Sequence, residues 1–448
     1  MSAKRSALGW SLRDVEQATG GVLIGNTTPT IEQVVIDSRT AVAGSLFVAI
    51  QGDNFDGHDF ASAALEAGAV GLVVEQNRCS GTTPRIEVDD TRQALRDLAV
   101  MRRNELAMPV VAITGSTGKT STKDLIASGI EGSWASPRSY NNEIGVPLTV
   151  LATPDDATVL ILEVGSRGTG HIRWLSSAIQ PDISVITNLG VVHLETFGDE
   201  EGLADAKYEL IEALSETGVA VLPAHEARLS RNPTRTTVTF GDAPASVEVA
   251  SATVDGDGSA HYVLKIDGET FEGSLSMAGA HQVANLAAGA AVARALDVPM
   301  SEFLCGAASG SGSEWRMDIH IGRYTIVNDA YNANPQSVEG ALRTVASMDG
   351  RSIAVLGPMA ELGKVCQSAH ERMGALASDL DFSALLVVGP DHGYGLGAPN
   401  LVEHVIDIGA ARDTLATLME PGDVVLVKAS RSAGLERLAL TLIKEAAQ

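Results

Sequence analysis

Apolar residues in this chain come as short unbroken runs, and between the runs the apolar spacing turns helical. VVAIT (110–114), VLILEV (159–164) and ISVITNLG (183–190) are runs of this kind. YTIVND (324–329), SIAVLG (352–357), ALLVVG (384–389) and DVVLVKAS (423–430) repeat the pattern further on. Continuous apolar strands alternating with helices predict parallel sheets covered on both faces. Before residue 107 the runs are shorter (33–36, 45–50, 71–74), and a helix over 60–67 leading into AVGLVV reads as one α/β unit. From about 235 to 277 short alternating strands with DGDG and DG turns predict a small antiparallel patch. An Ala-rich helix over 282–296 then returns the chain to α/β layering. AASGSGS (307–313) reads as a flexible hinge. The expected fold is α/β in three domains, 1–107, 108–313 and 314–448. The central one is a P-loop parallel-sheet ATPase domain, and the C-terminal one is Rossmann-like.

Composition agrees with that layering and excludes several functions. Among 448 residues, 45% are hydrophobic, 4% are aromatic and 45 are glycine, which favours tight strand-to-helix turns over an aromatic-rich sandwich. The formal net charge of -24 argues against nucleic acid or an anionic membrane as a large-surface partner. The three cysteines form no metal spacing and no disulfide framework, as in a reducing cytoplasm. The N-terminal stretch is basic but lacks the apolar core of a secretory signal, and no window is long and apolar enough to span a bilayer. A cytoplasmic protein without membrane insertion, and a monomer, is expected.

The most specific chemical signal is TGSTGKTS (114–121). A strand ends at Thr114, Gly115 and Gly118 permit a tight turn across Ser116 and Thr117, and Lys119, Thr120 and Ser121 begin a helix. That order aims backbone amides at phosphate oxygens, with Lys119 adding charge and Thr120 a magnesium ligand. Ile113 stands where the longer Walker pattern has its first glycine, so the motif is an abbreviated G-S-T-G-K-T. Glu163 ends an apolar strand, where it faces either solvent or, beside the phosphates, a magnesium ion. His193 follows a third strand expected to end at the same edge. Lys207 lies on the apolar stripe of LADAKYELIEAL, between Leu203 and Leu210. It either snorkels to water or is desolvated to a neutral amine, which can add CO₂ to give an anionic carbamate. In the third block Asp329, Tyr331, Asn332 and Asn334 cluster after one strand, and Lys428, Ser430 and Arg431 after another. Turn chemistry alone would also account for the Asn and Pro residues.

Taken in order, the phosphate loop, NNEIGVPLTVL, LEVGSRGTGHI, ITNLGVVHLETFG, GAHQVANLAA, NDAYNANP, MAELG and KASRS resemble the Mur ligases over nearly the whole chain. IDSRTAVAGSLFVAIQGDNFDGHDF is similar to that family's UDP-binding domain. YNANP and MAELG, and the absence of a DNPR motif, favour the type joining D-alanyl-D-alanine to UDP-N-acetylmuramoyl-tripeptide over the type adding the third amino acid. The resemblance implies ATP, two magnesium ions and an acyl-phosphate route, with the chain acting in cytoplasmic peptidoglycan precursor synthesis. It further implies that Thr120 and Glu163 hold one magnesium, and His193 and a carbamylated Lys207 the other. Asn285, Arg316 and Asp329 would grip the adenosine, Asn142 would stand by the reacting acid, and Ser38 and Arg39 near the UDP. Tyr331, Asn332, Asn334, Lys428 and Arg431 would frame the dipeptide. Gln282, Asn328, Pro358 and Ala429 depart from the family pattern, the latter two near the expected dipeptide contacts. A motor-type ATPase, a folate polyglutamate ligase and a non-catalytic UDP-sugar binder are the rival readings. Whether the tripeptide ends in meso-diaminopimelate or L-lysine stays open.

Overall fold

A computed structural model describes residues 7–25, 29–190, 197–232 and 234–447. Three sheets follow one another along the chain. The first contains β1 (Val22–Ile24), β2 (Gln33–Val35), β3 (Ser45–Val48), β4 (Gly71–Glu75) and β5 (Arg85–Val88) in the order β1-β5-β4-β3-β2. Its pairs are parallel except β1 with β5.

The second sheet comprises β6 (Val110–Thr114), β7 (Trp134–Ala135), β8 (Leu160–Glu163), β9 (Ile183–Ile186), β10 (Val219–Pro223), β11 (Thr237–Gly241), β12 (Val247–Val254), β13 (Ser259–Ile266) and β14 (Glu269–Ala278). Its order is β14-β13-β12-β11-β10-β9-β6-β8-β7. Strand β6 therefore has its successors on both sides, the switch point at which open α/β sheets bind ligands. The segment expected as a small antiparallel patch forms the outer edge of this same sheet. β11 runs parallel to β10 and β12 parallel to β11, and β13 and β14 then add as antiparallel strands. Their alternating pattern arises because one face packs on the helix His281–Ala295 while the other meets solvent.

The third sheet, of β15 (Asp318–Ile321), β16 (Thr325–Asn328), β17 (Ser352–Leu356), β18 (Ala384–Val388), β19 (Val402–Val405) and β20 (Val424–Lys428), has the order β15-β16-β20-β17-β18-β19. The edge strand β15 is antiparallel and the rest are parallel.

Two features of the packing position the site. The helix Thr91–Glu105 belongs by sequence to the first block, yet its Leu95, Leu98 and Ala99 share one core with Val146, Val150 and Leu175 of the second. The first two sheets are thus fused through apolar contact, of the kind that stabilises by roughly 25 cal/mol per Å² buried. The segment 307–313, expected as a free hinge, is pinned. Ala307 and Ala308 end the helix Met300–Ala308, Ser276 Oγ donates to the Gly310 carbonyl (2.8 Å), and Ser313 Oγ donates to Asp124 (2.6 Å). Small polar residues read as flexible, but here Ser313 finds a part-buried carboxylate and Gly310 accepts from a serine of β14. Among the described residues no helix is long and apolar enough to cross a membrane.

Candidate functional site

The phosphate loop leaves β6 at Thr114 and enters the helix Lys119–Gly129. Gly115 has φ 150° and Gly118 φ 77°, and a Cβ at Gly115 would stand 1.9 Å from Thr187 Oγ1. Glycine is required at that close approach. The helix has no side-chain cap, and its first internal bond is Thr122 N–H to the Gly118 carbonyl (2.8 Å). The amides of Lys119, Thr120 and Ser121 are therefore left facing outward at the positive end of the helix, an anion site. Two amides nearer the strand are already used: Ser116 N–H donates to the Asn188 carbonyl (3.2 Å), and Thr117 N–H to Asn188 Oδ1 (3.0 Å). Asn188 thus holds the loop open. It stands in the ITNLG stretch, but turn chemistry hides such a role.

Register brings Glu163 to this loop. β6 lies between β8 and β9, with Ile113 opposite Glu163 and Thr114 opposite Ile186. Glu163 is buried, and its two oxygens are spoken for. Thr120 Oγ1 donates to Oε2 (2.7 Å) and Asn141 Nδ2 donates to Oε1 (2.7 Å). Sequence reasoning singles out Asn142 but not its neighbour Asn141. Asn142 Oδ1 accepts from the amides of Ile144 and Gly145, so half of its amide group caps the next helix.

Lys119 Nζ donates to the Gly115 carbonyl (2.8 Å), folding back over its own loop. Burial lowers its pKa, Glu163 pulls it back up, and Arg316 lowers it again. Lys207 lies on the helix Glu200–Glu212, which Asp199 caps. The stripe it belongs to is buried, with Leu203 1% and Lys207 itself 2% exposed, so the side chain does not snorkel to bulk water. Among the described residues its amine meets no hydrogen-bond acceptor or carboxylate. Burial first, and the Lys119 charge second, hold its pKa well below the usual lysine value. His193 lies outside the described residues.

Sheet order makes the third cluster. β16 pairs β20 with Asn328 opposite Val427, so the next residues, Asp329 and Lys428, meet. Lys428 Nζ donates to Asp329 Oδ2 (2.5 Å) and to the Asn332 carbonyl (2.9 Å), while Asp329 Oδ1 accepts from Met317 N–H (3.1 Å). Removing one member of such a buried pair leaves the other charge uncompensated. Lys428→Met should destabilise the third domain by about 3–5 kcal/mol, and adding Asp329→Asn should recover most of the loss. A thermal scan reads both variants, and a Lys428→Met transition equal to wild type would contradict the assignment.

A cavity of about 420 Å³ joins these groups. Residues of the phosphate loop, Glu163, Lys207, Asn142 and Asn285 line it from the second sheet, and Arg316, Asp329, Tyr331, Asn332, Asn334 and Lys428 from the third. Asn285 Nδ2 donates to Gln282 Oε1 (2.8 Å), and Asn334 caps the helix Pro335–Ala346. Arg316 stacks on Tyr331 at 4.1 Å and donates to Ser139 Oγ (3.2 Å), and Thr117 Oγ1 donates to Gln336 (3.2 Å), so the third domain touches the loop itself. Arg431 is not part of the lining; it stacks on Trp315 at 4.6 Å. Ser38 and Arg39 lie apart, in a 3-10 turn between β2 and β3 of the first domain, where Arg39 pairs with Asp37.

Thr120 and Glu163 present buried oxygen donors 2.7 Å apart beside the phosphate amides, a set suited to a hard cation such as magnesium. Among the described residues no three His, Cys, Asp or Glu side chains converge, so nucleotide oxygens would complete the shell.

Fold and site together define a three-domain α/β protein whose abbreviated P-loop faces the third, Rossmann-like sheet across a shared cavity. Residues 113–293 match the Mur ligase middle domain, 315–431 the Mur ligase glutamate ligase domain, and 30–103 the Mur ligase family catalytic domain. The UDP-N-acetylmuramoyl-tripeptide–D-alanyl-D-alanine ligase of Bacillus subtilis (strain 168) is 31% identical, the match spanning 97% of this chain and 98% of that one. A crystal structure of MurF from Acinetobacter baumannii superposes with a TM-score of 0.90 at 26% identity, over 99% and 100% of the two chains. MurF from Thermotoga maritima in complex with ADP gives 0.83 at 28% identity, over 92% and 97%. The chain belongs to the Mur ligase family, and its chemistry is that of an ATP-dependent ligase.

Proposed function

We propose that this protein joins D-alanyl-D-alanine to UDP-N-acetylmuramoyl-tripeptide in peptidoglycan precursor synthesis. The observation that carries the reading is the single cavity in which Lys119, Thr120 and Glu163 face Asp329, Tyr331 and Asn332 across the domain boundary. The near-full-length match to a ligase of that name supports the choice of substrates.

The tripeptide carboxylate attacks the γ-phosphorus of ATP, ADP leaves, and an acyl phosphate remains. The dipeptide amine then attacks the acyl carbon, and the tetrahedral adduct expels inorganic phosphate. The outward amides of Lys119, Thr120 and Ser121, with the Lys119 ammonium, hold the β- and γ-phosphates and stabilise charge in transit. Thr120 and Glu163 would hold one magnesium ion, and Lys207 as a carbamate with His193 a second, neutralising phosphate charge. The contacts Thr117–Gln336 and Arg316–Ser139 keep the third domain over the loop, which excludes water from an acyl phosphate prone to hydrolysis. Asn285, Arg316 and Asp329 bind the nucleoside, while Ser38 and Arg39 bind the UDP end on the first domain. Tyr331, Asn332, Asn334 and Lys428 frame the dipeptide, with Arg431 behind Tyr331 rather than in the cavity wall.

The test is ADP release by the purified chain. It should require the UDP-tripeptide and D-alanyl-D-alanine together, and a new amide product should appear by mass spectrometry. Steady ADP release without D-alanyl-D-alanine would favour a plain ATPase and sink the reading.

A further inference from the structure

One side chain of the third domain reaches the phosphate loop itself. Gln336 stands just inside the start of the helix Pro335–Ala346, 219 residues beyond Thr117, and Thr117 Oγ1 donates to its Oε1 (3.2 Å). Among the described residues no other third-domain side chain hydrogen-bonds to residues 114–121.

The loop fixes which end of this amide is free. Asn188 Nδ2 donates to Thr117 Oγ1 (2.7 Å), which leaves the Thr117 hydroxyl proton for Gln336. The amide oxygen is thereby turned to the loop, and Nε2 keeps both of its N–H groups. Neither Nε2 nor the Gln336 backbone N–H meets an acceptor among the described residues, and the side chain is exposed where it lines the nucleotide cavity. The seat is shaped for this residue. A Cβ at Gly190 would stand 2.6 Å from Gln336 Oε1, and Gly190 N–H is itself held by Ser116 Oγ of the loop (2.9 Å).

The surrounding field favours an anion. Asn334 Oδ1 takes the Ser337 N–H (2.9 Å) and Pro335 has no N–H, so Gln336 carries the open donors at the positive end of its helix. The helix Lys119–Gly129 starts uncapped on the same cavity. Two positive helix ends therefore border one space, and a polyphosphate seated on the loop is the anion that spans them.

We propose that Gln336 is a catalytic residue contributed by the third domain: its Nε2 donates to an oxygen of the γ-phosphate while Oε1 stays on Thr117. The inference rests on the ligase reading above. In the transfer the bond from phosphorus to the ADP oxygen breaks and one to the tripeptide carboxylate forms. Gln336 exchanges no proton. It supplies a neutral donor to the phosphoryl oxygens in a cavity that already holds the Glu163 and Asp329 carboxylates. Because the donor arrives with the third domain, phosphoryl transfer is tied to coverage of the loop. The acyl phosphate then forms only where water is excluded.

The test compares wild type, Gln336→Ala and Gln336→Glu by calorimetric affinity for ADP and for a non-hydrolysable ATP analogue, with magnesium present, and by ADP-release kinetics. Gln336→Ala should weaken the analogue by at least about tenfold, the worth of one hydrogen bond to a charged group, and leave ADP within about twofold. Its kcat should fall by a similar factor, with KM for the UDP-tripeptide unchanged. Gln336→Glu keeps an oxygen for Thr117 but turns a carboxylate on the phosphate, so it should fall below the alanine variant. A glutamate variant near wild type would leave a docking role alone and overturn the proposal. Equal responses of analogue and ADP to Gln336→Ala would overturn it too. The affinity ratio needs no ligation. Wild-type protein that releases no ADP with both substrates therefore sinks the ligase reading, while the ratio still decides Gln336.

Discussion

Lys119→Ala should lower ligation, read as ADP release, by on the order of 10²–10³-fold or more, the cost of removing one preorganised charge from a transition state. The ammonium lies over its own loop, 2.8 Å from the Gly115 carbonyl, within the ring of amides that would surround the phosphates. Burial lowers its pKa, and an arriving polyphosphate raises it again, so the nucleotide stabilises the charged form it needs. Affinity for the UDP-tripeptide without ATP, followed by calorimetry, should largely survive, since the first domain does not use Lys119. Turnover within about twofold of wild type would remove the loop from the mechanism.

Lys207→Ala should cost at least about 10²-fold in the same assay, because the change deletes a group lining the cavity proposed to hold the phosphates, where charge stabilisation is worth several kcal/mol. A small carboxylate such as acetate or propionate should restore part of the rate. The reasoning is structural: the side chain is 2% exposed, its amine has no acceptor among the described residues, and its pKa is held well down. An uncharged buried amine is competent to add CO₂, releasing a proton and leaving an anionic carbamate. A truncated side chain leaves room for an anion from solution. Full activity without additive would refute the role, and loss of activity with no rescue at high carboxylate would leave a cation rather than an anion as the required group.

Much of the site is legible in the amino-acid sequence. The phosphate loop can be read there because its chemistry is local: strand, glycines, lysine and helix start are contiguous, and φ demands at Gly115 and Gly118 admit few alternatives. The Lys207 stripe is legible because helical periodicity is local too. Its two readings part only once burial is known, since snorkelling depends on what packs beyond the helix. The roles of Asn188 and Asn141 are not legible in this way. Each acts through a partner 71 or 22 residues away, and neither residue type distinguishes such a role from an ordinary turn. The antiparallel pairing expected over 235–277 is present in β12–β14, but its continuity with the central sheet through β11, and the pinning of the hinge expected at 307–313, were not legible for a related reason. Composition reports what a segment prefers alone, whereas Asp124 and β10 supply partners that the local sequence does not contain.

The chain's own pattern thus dictates which residues stand at strand ends: Thr114, Glu163, Asp329 and Lys428 each close an apolar run. Periodicity sets that position because it depends on a few neighbouring residues. Which strand ends become neighbours is decided by sheet order alone. β6 lies between β8 and β9, which sets Glu163 against the phosphate loop, and β20 inserts between β16 and β17, which sets Lys428 against Asp329. The junction of the first two domains needs a further step, the shared core that fuses their sheets around the helix Thr91–Glu105. Such contacts join segments tens to hundreds of residues apart, and their choice rests on the burial of whole surfaces, a quantity no local stretch of sequence carries.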